Sequence, residues 1–173
     1  MTNQLTLLDV PRARPSLAFN PKEYKVQCLR ECPWPADLLC DTPERAAEYW
    51  RANVVNHPYY SPDLECGVAV SLNTRRKIVG HHLFATGTID TLLVDTRAVF
   101  RPACVMNAAA IILMHSHPSG DPSPSEGDIK VTRDLTRGGQ IMKIEVLDHV
   151  IMGLPTPDRL KDWVSLRELG YFL

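Results

Sequence analysis

Between Leu64 and Leu72 the bulky apolar residues Val68, Val70 and Leu72 stand at every second position, while Glu65, Gly67, Ala69 and Ser71 share the opposite face. A two-residue period is that of a strand, and the small residues of the second face leave room beside Glu65. Asn73-Thr-Arg-Arg reads as a turn, and Lys77-Ile-Val-Gly-His-His-Leu-Phe returns as the hairpin partner. Ala110-Ile-Ile-Leu-Met is a short continuous apolar run, the pattern of a buried strand, and Ile144-Glu-Val-Leu-Asp-His-Val-Ile-Met-Gly supplies two more strand-like pieces. Helical signals lie between them. Asp41-Thr-Pro-Glu starts one helix, with Thr42 as cap, Pro43 at the first position and Ala46, Ala47, Tyr49 and Trp50 continuing it until His57-Pro breaks it. Thr96 to Asn107 reads as a second, kinked at Pro102. A third runs from Ser125 through Ile129, Thr132 and Leu135 and stops at Gly138-Gly139, whose glycines can take a left-handed cap.

Upstream, Tyr24-Lys-Val-Gln-Cys-Leu-Arg alternates like a half-buried strand that Pro33-Trp-Pro ends. Residues 1–21, with Pro11, Pro15 and Pro21 and no sustained period, read as a loose arm. The expectation is therefore one α/β (α+β) domain over residues 22–173, with helices packed against a sheet whose strand order the sequence does not dictate.

Composition narrows the function classes. A chain of 173 residues, 45% hydrophobic and 23% charged, can bury a core of its own. A formal net charge of -1 gives no general attraction to phosphate backbones or anionic membranes. The longest apolar run, Ala108 to Met114, is far below the roughly 20 residues of a membrane helix, and the first ten residues lack a signal-peptide pattern. Five cysteines, an odd number without framework spacing, fit free thiols in a reducing compartment; a soluble cytoplasmic protein is expected.

The stretch that carries chemistry is His115-x-His117, followed by Asp128. On a strand, two histidines one residue apart point to the same side, roughly 7 Å apart, and can converge on one ion while Ser116 points away. Zinc accepts imidazole and carboxylate ligands, and three protein ligands leave a fourth position open, as catalysis requires. Pro118, Pro122 and Pro124 stiffen the intervening loop and Gly120 permits its turn. The bland alternative is a pair of polar strand-end histidines beside a capping box in which Ser125 caps a helix and Asp128 completes it. Spacing alone does not decide between the two.

The run His115-Ser-His-Pro-Ser-Gly-Asp-Pro-Ser-Pro-Ser-Glu-Gly-Asp128 matches the JAMM pattern of His-x-His, seven residues, Ser, two residues, Asp, and resembles in detail the RadC-like branch of the JAB/MPN superfamily. Gly87-Thr-Ile-Asp, Asp95-Thr-Arg-Ala-Val-Phe, Asn107-Ala-Ala-Ala-Ile-Ile-Leu, Leu147-Asp-His-Val-Ile-Met-Gly and Val164-Ser-Leu-Arg-Glu-Leu-Gly extend the similarity. It covers about residues 60–170, with a motif core over 60–155, and more weakly 22–60. The resemblance implies a mixed, curved central sheet flanked by helices, one Zn2+ per chain on His115, His117 and Asp128, Glu65 as the general base, and Ser125 facing the water or the developing oxyanion. It further implies a zinc metalloprotease-type hydrolase of peptide or isopeptide bonds in which Glu65 activates the metal's water. The chain departs from the family in two places. Full-length RadC proteins carry an N-terminal helix-hairpin-helix region that has no counterpart here, and the commoner form has Asn where this chain has Ser116.

A peptide or protein is the expected partner. The rival readings are a non-catalytic binding or regulatory module linked to DNA repair, direct DNA binding through Arg75-Arg-Lys77 with Arg97 and Arg101, and a zinc deaminase, which would need a paired-cysteine motif missing from this sequence. The arm with Leu5, Leu7 and Leu8 could dock on a second copy. Cys28, Cys32 and Cys40 read as buried thiols, His149 as a satisfied core or ligand-supporting histidine, and His81-His82 as residues on opposite faces of a strand. Trp34, Trp50 and Trp163 read as core or interface anchors.

Overall fold

A computed structural model describes residues 38–87 and 94–172. The arm, the strand expected at Tyr24 and the residues Cys28, Cys32 and Trp34 lie outside them. Five strands form one mixed sheet: β1 (Glu65–Leu72), β2 (Ile78–Gly87), β3 (Ala110–Ser116), β4 (Glu145–Met152) and β5 (Trp163–Ser165), in the order β2-β1-β3-β4-β5. All pairs are antiparallel except β3 with β4, which run parallel. A parallel pair needs a long crossover, and the helix α3 (Glu126–Met142) supplies it.

Both faces of the sheet are covered, which is why the central strand β3 is buried along its whole length and reads as a continuous apolar run. On one face, Val68, Val70, Leu72, Ile112 and Met114 meet Ala46, Ala47, Trp50 and Val54. The first two of these helical residues belong to α1 (Pro43–Tyr49), and the others to a π-helical turn (Trp50–Val54) that continues it. On the other face, Ala69, Ile111, Leu113 and Val146 meet Leu135 of α3 and Val99, Phe100 and Ala103 of α2 (Thr96–Val105). The period-two reading of β1 therefore holds, with the bulky residues on one side and the small ones on the other. Trp50 and Trp163 both belong to the core, as expected.

Helix starts follow their sequence signals. Thr42 accepts the Arg45 N–H at 3.3 Å, Pro43 takes the first turn, and Ser125 forms a complete capping box with Asp128. The end of α3 does not. The helix runs through Gly138-Gly139 to Met142, and Lys143 takes the left-handed position with φ 57°. Those glycines serve close approach instead. A Cβ on Gly139 would stand 2.4 Å from the Ile144 carbonyl oxygen, and one on Gly138 would stand 2.8 Å from Thr96 Cγ2. Gly139→Ala is expected to destabilise the protein by about 1–3 kcal/mol, because the atom it would strike is backbone and cannot swing aside. Chemical denaturation measures the effect, and an unchanged midpoint would contradict this packing.

Two further expectations are corrected. The stretch expected as two pieces forms one strand, Glu145–Met152: the pairing of β4 with β3 slips between Ile111 and Ile112, so that Leu147 is bulged and the alternation is interrupted without ending the strand. The room expected beside Glu65 is occupied. The Phe84 ring lies over Gly67 so closely that a Cβ there would be 2.6 Å from it. Pairing of β1 with β2 likewise slips twice, at Gly67/Val68 and Ser71/Leu72, whereas β1 pairs with β3 without interruption.

Candidate metal centre

The uninterrupted β1–β3 register brings the site together. Gly67, the last residue of β1 paired with β3, lies opposite His115 in an antiparallel pair, and continuing that register by two residues directs Glu65 toward His117, just beyond the end of β3, on the same face. Two bonds pin this end of the sheet: the Cys66 N–H donates to Ser116 Oγ at 3.3 Å, and the His117 N–H donates to the Met152 carbonyl at 2.9 Å. Ser116 thus points away from the histidines, as its position on the strand requires.

His115, at the end of β3, and Asp128, in the first turn of α3, are buried, and His117 is half-buried on the loop between them. His115 Nε2 stands 3.1 Å from Asp128 Oδ1 and 3.0 Å from His117 Nε2, and His117 Nε2 stands 3.7 Å from Asp128 Oδ2. The ligand-capable atoms of all three lie within 4.8 Å of one another, so the three residues form a group that could hold a metal ion. Two imidazole nitrogens and a carboxylate are a donor set suited to zinc. Among the described residues no other group of three such side chains converges in this way.

The loop from His117 to Asp128 is held from outside. His117 Nδ1 lies 2.7 Å from the Asp121 carbonyl oxygen, which fixes the ring with Nε2 toward Asp128. Arg159 donates to the Gly120 carbonyl at 2.6 Å and the Leu154 carbonyl at 3.0 Å, and reaches Asp121 Oδ1 at 3.2 Å. Gly120 adopts φ 78°, a conformation glycine takes without steric cost. Behind His115, its Nδ1 lies 2.8 Å from His149 Nε2 on the neighbouring parallel strand. His149 is thus a buried partner of a ligand-capable residue, in line with its sequence reading.

Charge balance follows from this geometry. Burial raises the Asp128 carboxyl's affinity for a proton, but the adjacent imidazoles of His115 and His117 and the Ser125 hydroxyl outweigh it and hold the group well below the usual carboxylate range. Burial disfavours the charged form of His117, yet Asp128, the Asp121 carbonyl and the charge of Glu65 together raise its affinity for a proton. That Glu65 acts on His117 agrees with the strand register. Two other acids near it in the sequence, Glu48 and Asp63, are exposed. Ser125 donates its hydroxyl to Asp128 Oδ2 at 2.6 Å and accepts the Asp128 N–H at 3.1 Å, so in this arrangement it orients the carboxylate as a cap does.

Other candidates separate from this centre. Cys40 is buried, and burial, then the adjacent Asp41 charge, pushes its thiol up to about 12, which suits an inert core residue. His81 bonds Tyr49 at 2.6 Å while His82 lies against Phe84, confirming their opposite faces. Of the basic residues considered for DNA, Arg76 pairs with Glu145 and Arg97 with Asp95. Sequence reading missed Thr132 as a partner of His149 and Arg159 as the brace of the loop. Thr132 lies four residues after Asp128, hence on the same helical face, and a threonine on that face was the available signal. Arg159 had none.

Comparison with known proteins gives the family. Residues 40–171 match the family model described as the RadC-like JAB domain. A UPF0758 protein of Desulfitobacterium hafniense is 48% identical over 101 residues, 58% of this chain and 42% of that protein. A UPF0758 protein of Methanococcoides burtonii is 36% identical over 154 residues, 87% of this chain and 64% of that protein. One from Moorella thermoacetica is 50% identical over 84 residues, 49% of this chain and 37% of that protein. The chain spans about two fifths of the length of the first of these relatives, and none of the three names states an activity. A mixed sheet flanked by helices, a converging His-His-Asp group and a family match over most of the length together show that this chain belongs to the RadC-like JAB domain family.

Proposed function

We propose that the chain is a zinc-dependent hydrolase of peptide or isopeptide bonds, with His115, His117 and Asp128 as ligands to one Zn2+ and Glu65 as the general base. The observation that carries this reading is the convergence of two imidazole nitrogens and a buried carboxylate within 4.8 Å, with Glu65 two residues beyond the Gly67–His115 pair on the same strand face. No cysteine or third histidine joins the three among the described residues, and a three-ligand set is the composition of a catalytic rather than a closed structural site.

Bound zinc supplies Lewis acidity and lowers the pKa of a water toward about 7. The remaining steps belong to the protein's own side chains. Glu65 takes a proton from the attacking water and returns it to the leaving amide nitrogen. His117 is kept in place by the Asp121 carbonyl, so the ligand and the base stay on one face at one strand end. Ser125, which donates to Asp128 Oδ2 in the structure, is proposed as the donor to the developing oxyanion when that carboxylate turns to the metal. The substrate is a peptide or protein, and the site is proposed to act in the cytoplasm; among the described residues no helix is long and apolar enough to cross a membrane.

Metal analysis joined to an activity screen tests the reading. The purified chain is expected to carry one zinc and to cleave members of a peptide and isopeptide-linked substrate panel, with cleavage lost on chelation and restored by zinc. A chain that takes up no zinc, or whose cleavage persists after the metal is stripped, refutes it.

A further inference from the structure

Thr132 and His149 are both buried, at 0% and 4% exposure, and they form an unbroken hydrogen-bonded run behind His115. Its direction follows from one group that can only accept, the backbone carbonyl of Asp128. Thr132 Oγ1 lies 2.6 Å from that oxygen and gives it the single hydroxyl proton. Toward His149 Nδ1, 2.7 Å away, the hydroxyl then presents a lone pair, so Nδ1 of His149 carries the proton. His149 Nε2 is left as an acceptor, and His115 Nδ1, at 2.8 Å, must donate to it. With its proton on Nδ1, His115 turns a lone pair on Nε2 toward Asp128 Oδ1 at 3.1 Å and His117 Nε2 at 3.0 Å, the form in which an imidazole binds a metal.

We propose that Thr132 and His149 are positioning residues that fix the metal-binding tautomer and orientation of His115; the proposal rests on the zinc reading above. The two histidines reach the same tautomer by different devices. His117 uses a loop carbonyl, that of Asp121. His115 uses a buried relay that starts on the Asp128 carbonyl, crosses from α3 to β4 and returns to β3, facing the carboxylate of the same Asp128. The relay closes a ring through three elements, so a shift of α3 against the sheet would disturb two ligands at once. Because its members are buried, solvent cannot readily replace a missing partner.

Zinc affinity of the whole chain, measured by competition with a chromophoric chelator, and imidazole 1H–15N spectra of the zinc-loaded wild type test the proposal. Thr132→Val and His149→Leu are expected to weaken zinc binding by about 10- to 100-fold, the cost usual for partners that orient a ligating histidine. Thr132→Ser, which keeps the hydroxyl, restores it, and the spectra show both His115 and His149 protonated on Nδ1. Wild-type zinc affinity in both disrupting variants, or a proton on His149 Nε2, overturns the proposal and leaves the metal reading intact. A wild type that takes up no zinc overturns both. The spectra need no variant, so the proposal stays open to refutation even if His149→Leu fails to fold.

Discussion

Glu65→Gln is expected to reduce hydrolysis by about 10²- to 10⁴-fold while the protein still binds one zinc, the loss associated with a general base. The substitution keeps the size of the side chain and removes only its capacity to take a proton. Glu65 stands at the first position of β1 and outside the converging His-His-Asp group, so neither the sheet nor the metal ligands should be disturbed. The informative result is the pair of measurements: turnover of a cleaved substrate falls, and metal content and melting temperature stay at wild-type values. Undiminished turnover would remove Glu65 from the mechanism. Lost zinc would move it into the ligand set.

Asp128→Ala is expected to do the reverse of a selective change, abolishing both zinc uptake and part of the stability of the metal-free protein. The carboxylate is 2% exposed and serves two structures. Its Oδ1 faces His115 at 3.1 Å, and its Oδ2 accepts the Ser125 N–H at 2.7 Å as half of the capping box. Loss of the cap alone costs about 0.5–2 kcal/mol. The larger effect comes from linkage. Zinc at a thousand times its dissociation constant stabilises the wild type by about 4 kcal/mol, on the order of 10 °C in melting temperature for a chain of this size. Thermal scans with and without zinc should show that increment in the wild type and none in the variant. Asp128→Asn, which keeps a carbonyl acceptor for Ser125, should recover much of the cap and none of the zinc increment. A zinc-dependent rise in melting temperature in Asp128→Ala would exclude it as a ligand.

The centre was more legible in the sequence than its support. His115, His117 and Asp128 stand in a pattern whose geometry is local: a strand end, a short stiff loop and a helix start. Glu65 could be set on a strand face by period alone, although only the pairing of β1 with β3 sets that face beside His115. Features that depend on distant contacts were misread. Gly138-Gly139 looked like a helix stop because the signal for a left-handed cap and the signal for close packing are the same residue, and only Ile144 and Thr96 distinguish them. β4 looked like two pieces because one bulged residue, Leu147, broke the alternation. Gly67 looked like open space, and Phe84 from the next strand fills it. Thr132 and His149 become partners only because α3 crosses over to set β4 parallel to β3, a topology that residue patterns leave open.

The slips in the pairing of β1 fall on its outer side, at Gly67/Val68 and Ser71/Leu72, and none falls on its inner side. The outer strand therefore works as an expansion joint. Change in the length of the reversal between Leu72 and Ile78 can be taken up at those irregularities, while the inner ladder keeps the spacing of base and ligands. Of the two ends of β1, the one that feeds this reversal is thus the place where sequence drift, or an engineered insertion for immobilising the protein, costs the chemistry least.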